Sequence, residues 1–142
     1  MPMESWVKVP DRSRNCWERK YLRLDGTCLC IYEHQPSSGM APINRLDLIE
    51  KDGFTILDTV HNPDVIGTAK SDMPFIFRVE SNSSTTCWPT SRLDIMALSQ
   101  TDKKNWMKVL KSVTSQNNIH KNRKYEIMLR LEKSQVSNFF YF

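Results

Sequence analysis

The hydrophobic pattern of this chain changes its period near residue 100, and that change restricts the fold more than any other feature. Before it, short runs of β-forming residues alternate with turn signals such as Asp25-Gly26, a strong two-residue hairpin signal. After it, apolar residues recur at the i, i+3, i+4 and i+7 spacing of one helical stripe. The members of this stripe are Trp106, Val109, Leu110 and Val113. Short strands followed by one amphipathic helix predict an all-β barrel or sandwich closed by that helix.

The turn signals divide the first part of the chain into seven predicted strands. They span residues 5–9, 17–24, 27–33, 43–49, 54–57, 74–81 and 92–99. Between the fifth and sixth strands, Asn62-Pro63 predicts the start of a short helical turn. Ser99 is the expected N-cap of the final helix, because Asp102 follows it three residues later. Trp106 is expected to plug one end of the barrel, where apolar side chains would otherwise be wet.

The length of 142 residues fits one domain with a modest core. The predicted domain covers residues 4–116, and residues 117–142 form a basic tail that is either a linker or a weak helix. No apolar run approaches the ~20 residues of a membrane span. The start of the chain lacks the basic and apolar regions of a signal peptide. We therefore expect a cytoplasmic protein without a transmembrane segment.

The net charge of +4 is unevenly distributed along the chain. Residues 8–23 contain six basic and two acidic side chains, a local charge of +4. The six basic residues, which form the predicted anion-binding site, are Lys8, Arg12, Arg14, Arg19, Lys20 and Arg23. A charge excess concentrated in one segment favours directed contact with an anionic partner.

Catalytic chemistry has no visible basis in the sequence. The four glycines are isolated, so no phosphate-binding loop is present. His34, His61 and His120 have no nucleophile or carboxylate at a recognisable spacing. Nucleic-acid binding is disfavoured because Trp17 and Tyr21 are expected to pack in or over the barrel instead of stacking on bases. The sequence thus predicts a binding module that is not an enzyme.

The four cysteines do not predict a metal site. Cys28 and Cys30 lack a zinc spacing, and no second cysteine or histidine pair completes a tetrahedral set. Two residues apart on a strand, they share one face and are expected to be small packing residues in a reducing compartment. No cofactor is predicted.

Several of these segments resemble a pleckstrin homology (PH) domain. The resemblance covers residues 4–116, and it depends on residues 4–7, residues 17–21, the Asp25-Gly26 hairpin and Trp106. It implies a seven-stranded barrel of two orthogonal antiparallel sheets, capped by one amphipathic α-helix.

A narrower likeness is to the PH domain of citron-type Rho-interacting serine/threonine kinases. Residues 6–10, 68–74 and 85–89 carry it. This likeness implies a Rho-effector kinase as the parent protein, with roles at the cytoskeleton and in cytokinesis.

The resemblance also indicates how lipid would be bound. Lipid-binding PH domains hold inositol phosphates with a lysine three residues after the opening tryptophan and with alternate basic residues in the second strand. Here Val9 and Glu18 occupy the first two of these positions, and only Lys20 is retained. We therefore expect weak, charge-driven docking to anionic phospholipids at a membrane surface, with little headgroup selectivity.

A protein-interaction module without significant lipid binding is the alternative. Strand edges and a helix face offer contact surfaces to partners. The Ser/Thr-rich segment 81–86, followed by Trp88-Pro89, offers an aromatic side chain. The resemblance implies cytoskeletal or signalling proteins as the partners, and the sequence leaves both functions open.

Overall fold

The computed structural model describes residues 3–49, 52–82, 92–115, 127–128 and 131. Within them, seven antiparallel strands form one sheet in the spatial order β4-β3-β2-β1-β7-β6-β5. The strands are β1 (Glu4–Pro10), β2 (Trp17–Asp25), β3 (Cys28–Tyr32), β4 (Asn44–Asp47), β5 (Phe54–Leu57), β6 (Ile76–Ser81) and β7 (Arg92–Ala97). A 3-10 helix (Lys70–Phe75) precedes β6, and helix α1 covers residues 100–115. The predicted fold class is confirmed.

Strand β1 joins the two halves of the sheet. It is paired with β2 along its whole length, from Glu4 opposite Arg23 to Pro10 opposite Trp17. Its pairing with β7 is much shorter and involves only Val7 and Lys8. The hydrogen-bonded pairing is therefore shortest between β1 and β7, which is where the two sheets predicted from the sequence would meet.

The core lies between the two halves of the sheet. Leu46 of β4 and Phe54 of β5 belong to the same buried cluster, although these edge strands are not neighbours in the hydrogen-bonded ladder. Val7 and Leu22 belong to this cluster as well, because strand alternation turns them to the inner face. Side-chain packing thus closes the barrel where backbone pairing does not.

Helix α1 caps the barrel in the predicted way. Ser99 Oγ accepts a hydrogen bond of 3.1 Å from the Asp102 backbone N–H, which makes Ser99 the N-cap. Trp106 is completely buried, and its indole Nε1 donates to Ser5 Oγ at 2.8 Å. The helix is therefore attached to the first strand by both packing and a hydrogen bond.

The predicted helical turn at Asn62-Pro63 is wrong. Residues 61–69 are not helical, and the 3-10 helix begins at Lys70 instead. The reason is that backbone groups near residue 62 have tertiary partners. Arg78 Nη2 donates to the Asn62 carbonyl at 3.0 Å, and the backbone N–H of Asp64 donates to the Asp94 carboxylate at 2.8 Å. This connection between β5 and β6 covers the outer face of β6 and β7.

Some predictions fall on segments outside the described residues. The Trp88 segment, with its predicted role as an exposed contact, is one of them. Of the predicted tail, only residues 127–128 and 131 are described, and its boundary at residue 116 stays a prediction. Among the described helices, none has the length and apolar character that crossing a bilayer requires.

Candidate functional site at the barrel mouth

The loop between β1 and β2 is held in shape by Asp11. Its carboxylate accepts hydrogen bonds from Ser13 Oγ at 2.7 Å, from the Asn15 backbone N–H at 2.8 Å and from the Cys16 backbone N–H at 3.2 Å. These bonds, chiefly that from Ser13, lower the pKa of Asp11 to about 2. The loop therefore keeps its shape through a carboxylate that stays ionised at neutral pH.

Arg14 has an unusual backbone conformation within this loop. Its φ of 60° lies in the left-handed region, which residues other than glycine rarely adopt. The backbone N–H of Arg14 donates to the Asp11 carbonyl at 3.1 Å, and the Arg14 carbonyl accepts from the Ile66 N–H at 3.2 Å. The second bond joins the β1–β2 loop to the connection between β5 and β6.

A cavity of about 600 Å³ lies where these two segments meet Ile43, Asn44 and the start of β7. We call it the mouth. Its charged lining consists of the basic residues Arg12, Arg14, Lys20 and Arg92 and the acidic residues Asp11, Glu18, Asp64 and Asp94. The volume is within the usual range for a small-molecule site. The four positive and four negative side chains cancel, so charge and not size opposes a polyphosphate ligand.

Lys20 points into the mouth, as its shared parity with the buried Leu22 predicts. Its Nζ donates to Glu33 at 2.7 Å and lies 3.5 Å from a Glu18 carboxylate oxygen. The bond to Glu33 and the negative charge of Glu18 raise the pKa of Lys20. Lys20, the one basic residue that keeps its place in the lipid-binding pattern, therefore stays protonated, and two carboxylates balance its charge.

Asp64 binds two arginines at the opposite side of the mouth. Its carboxylate, only 6% exposed, accepts from Arg92 Nη2 at 2.9 Å and lies 3.7 Å from Arg14 Nη1. The position that an anionic ligand would take between these guanidinium groups is occupied by the chain's own carboxylate.

A second ion pair holds the Asp64 segment in place. Arg78 donates to the fully buried Asp94 carboxylate through Nε at 2.6 Å and through Nη2 at 3.1 Å. This bidentate bond raises the pKa of Arg78. Because Asp94 also accepts the Asp64 N–H, the pair fixes the backbone from which the Asp64 carboxylate projects.

The other predicted site residues lie on the outer face of β1 and β2. Lys8 and Arg19 are directly opposite each other in the ladder, and both are exposed. The Arg19 guanidinium lies 4.6 Å from the centre of the Trp6 ring, in a cation–π contact. Arg23 forms an ion pair with Glu4, in which the Arg23 Nε atom lies 3.4 Å from the Glu4 Oε2 atom.

The six predicted cations therefore divide into two groups of three. Arg14, Lys20 and Arg23 are ion-paired. Lys8 and Arg19 on the outer face, and the exposed Arg12 in the lining of the mouth, make no ion pair within the described part of the chain, and we call these three the outer cations. Sequence reasoning missed the acids that make this division, above all Glu33 and Asp64, because no spacing in the sequence links them to their partners.

Cys28 and Cys30 take the packing role that the sequence predicts, whereas Cys16 is exposed. Cys30 is buried with Tyr21 and Tyr32 in a small cluster on the outer face, and Cys28 packs against it. Burial raises the pKa of the Cys30 thiol. Across the described ranges, no group of three or more metal-binding side chains is assembled.

Comparison with known sequences identifies related kinases. A family model described as the MRCK kinase PH domain matches residues 2–116. Citron Rho-interacting kinase of Homo sapiens is 36% identical over 118 residues, which cover 80% of this chain and 6% of that protein. Serine/threonine-protein kinase MRCK beta of Rattus norvegicus is 29% identical over 126 residues, which cover 84% of this chain and 7% of that protein. The chain thus spans a small part of these relatives.

Solved structures share the fold at low sequence identity. The PH domain of human KIAA0053 protein has a TM-score of 0.59 at 22% identity, with 80% of this chain and 87% of that chain covered. The Slm1-PH domain in complex with phosphoserine has a TM-score of 0.60 at 14% identity, with 79% of this chain and 94% of that chain covered.

Proposed function

Since the chain belongs to the family of MRCK kinase PH domains, we propose that it docks weakly on anionic phospholipid surfaces through its outer cations. The PH fold is not catalytic, and the relatives are matched only over this region. The parent protein in this proposal is a citron-like Rho-effector kinase. The domain would associate peripherally with a cytoplasmic membrane face, where cytoskeletal or signalling proteins are further partners.

The observation that carries the proposal is the division of the basic residues. The mouth contains as many acids as bases, whereas the exposed side chains of Lys8, Arg12 and Arg19 have no acidic ion-pair partner among the described residues. A cation near an anionic bilayer contributes about 1 kcal/mol, and salt weakens this contribution. Such a surface attracts headgroups by charge and has no shaped pocket to distinguish them.

One of the solved neighbours has been determined with ligands that carry phosphate. The Slm1-PH domain is described in complex with phosphoserine and with inositol 4-phosphate. Both ligands carry a phosphate group, as anionic lipid headgroups do. This supports an anionic headgroup as the ligand class, and the neutral mouth argues for low selectivity within it.

Replacing Lys8, Arg12 and Arg19 together with alanine is expected to weaken binding to phosphatidylserine vesicles about 100-fold at low salt. The reason is the loss of three headgroup contacts of about 1 kcal/mol each. Vesicle sedimentation at two salt concentrations measures the effect, and the difference between variant and wild type should shrink at high salt.

The matched control replaces three exposed lysines of α1 with alanine, which removes the same charge from the helix. These lysines are Lys104, Lys108 and Lys111. This control should bind almost as well as wild type. Equal losses in both triple variants would mean that net charge alone drives binding. If the wild-type protein does not bind anionic vesicles, lipid docking is excluded and the protein-interaction alternative remains.

The Asp64→Asn variant is expected to bind soluble inositol phosphates about 10-fold more tightly than wild type. The substitution removes the charge that occupies the space between Arg14 and Arg92, and a charge-assisted hydrogen bond to each guanidinium becomes available to the ligand. Isothermal titration calorimetry measures the change.

The control for this prediction is Asp25→Asn in the β2–β3 turn. Asp25 lies at the far end of β2 from the mouth, and Asn-Gly suits the same hairpin turn. Its change in net charge is identical, so it reports any non-specific effect. If both variants gain equally, Asp64 does not govern access to the arginines.

A further inference from the structure

Ile66 is the most exposed of the large apolar side chains in the described part of the chain, at 79%. It lies in the connection between β5 and β6, beside the β1–β2 loop, and its backbone N–H donates to the Arg14 carbonyl at 3.2 Å. An isoleucine this exposed buries little apolar surface in the folded state and contributes little to its stability. Its position next to the basic β1–β2 loop indicates that the Ile66 side chain contacts a binding partner.

The turn that carries Ile66 is anchored on both sides. We call residues 65–68 the Ile66 turn. Val65 is buried, and Thr68 Oγ1 donates to the Val65 carbonyl at 2.7 Å while it accepts from Trp17 Nε1 at 3.2 Å. Gly67, with φ of 76°, supplies the left-handed residue that this turn requires. Ile66 is therefore presented in a fixed outward position and loses little freedom on binding.

The surroundings of the Ile66 turn favour a bilayer over an apolar protein groove. The backbone contact between Ile66 and Arg14 places the turn directly against the loop that carries Arg12. An apolar side chain flanked by cations matches a membrane interface, where acyl chains lie just below anionic headgroups. Binding in an apolar groove of a protein would remove the guanidinium groups of Arg12 and Arg14 from water, which is costly.

We propose that the Ile66 turn inserts into the interface of anionic bilayers while Arg12, in the adjacent loop, contacts the headgroups. This inference rests on the proposed lipid docking and adds an apolar contribution to it. Because salt screens charges but not apolar transfer, the contribution of Ile66 persists at high ionic strength.

The test uses the full 142-residue chain and vesicles of phosphatidylcholine with phosphatidylserine. Ile66→Ser is expected to lower the partition coefficient about 10-fold at both low and high salt. The reason is that the variant loses most of the apolar surface that the isoleucine side chain would bury in the bilayer. Ile66→Trp should bind at least as well as wild type. Leu98→Ser is the control, since Leu98 is 45% exposed and follows the end of β7 that is remote from Arg92.

The outcomes separate this inference from the proposed function. If the outer-cation variant loses binding and Ile66→Ser does not, insertion is overturned and charge-driven docking stands. An equal loss in Leu98→Ser overturns insertion by this turn. If wild type does not sediment with anionic vesicles, both proposals fail together. A thermal melt of each variant verifies that the fold is retained.

Discussion

Trp106→Ala is expected to lower the free energy of unfolding by about 3–5 kcal/mol, the usual cost of removing a large buried aromatic side chain. Trp106 is fully buried in the main core cluster, and its indole N–H is hydrogen-bonded to Ser5. Alanine leaves a cavity between α1 and the barrel and leaves the Ser5 hydroxyl without this donor. Urea denaturation followed by circular dichroism measures the change in midpoint.

Two controls distinguish capping by the helix from a general effect of tryptophan loss. Trp106→Phe refills part of the volume and should lose less stability than the alanine variant. Trp6→Ala removes the same side chain from the outer face, where Trp6 is only partly buried against Tyr21, and should cost less than Trp106→Ala. A melting temperature of Trp106→Ala close to that of wild type would contradict the role of α1 as the cap of the barrel.

Asp94→Asn is expected to destabilise the fold by about 3 kcal/mol, because it leaves the Arg78 guanidinium in a largely buried position without its counter-charge. Asp94 is fully buried and Arg78 is 12% exposed, so water replaces little of the lost interaction. The same urea experiment measures the loss.

The matched control is the double variant Arg78→Met and Asp94→Asn. It removes the buried positive charge as well, and the amide introduced at position 94 can still accept the Asp64 N–H. We expect it to recover part of the stability lost in Asp94→Asn, since replacement of both members of a buried pair is far less costly than removal of one. A double variant that is less stable than the single variant would show that Arg78 matters mainly through its bond to the Asn62 carbonyl.

The strand order along the chain and the final helix were predictable because their signals are local. The Asp25-Gly26 turn, the alternation around Leu22 and the Ser99 cap depend on neighbours within a few residues. The errors occur where tertiary contacts override local preference. Residues near Asn62 stay non-helical because their backbone groups bond to Arg78 and Asp94, and β6 begins only at Ile76, after the 3-10 helix.

Asp94 illustrates the limit of sequence patterns most clearly. Alternation in β7 places Leu93 and Ile95 on the core side and Asp94 on the opposite side, which is solvated in many antiparallel sheets. That face is instead covered by the connection between β5 and β6, so Asp94 is fully buried. Period-2 alternation specifies which side of a strand a residue occupies, but not what covers that side.

The sequence alone determined the all-β class, the capping helix and the six cations in residues 8–23, since composition and periodicity are properties of neighbouring residues. The tertiary structure decided which of those cations are ion-paired. Arg14 meets Asp64 and Lys20 meets Glu33 only after folding brings distant segments within a few ångströms. Coulomb attraction depends on distance in space and on burial, and neither quantity is written in the spacing of residues along the chain.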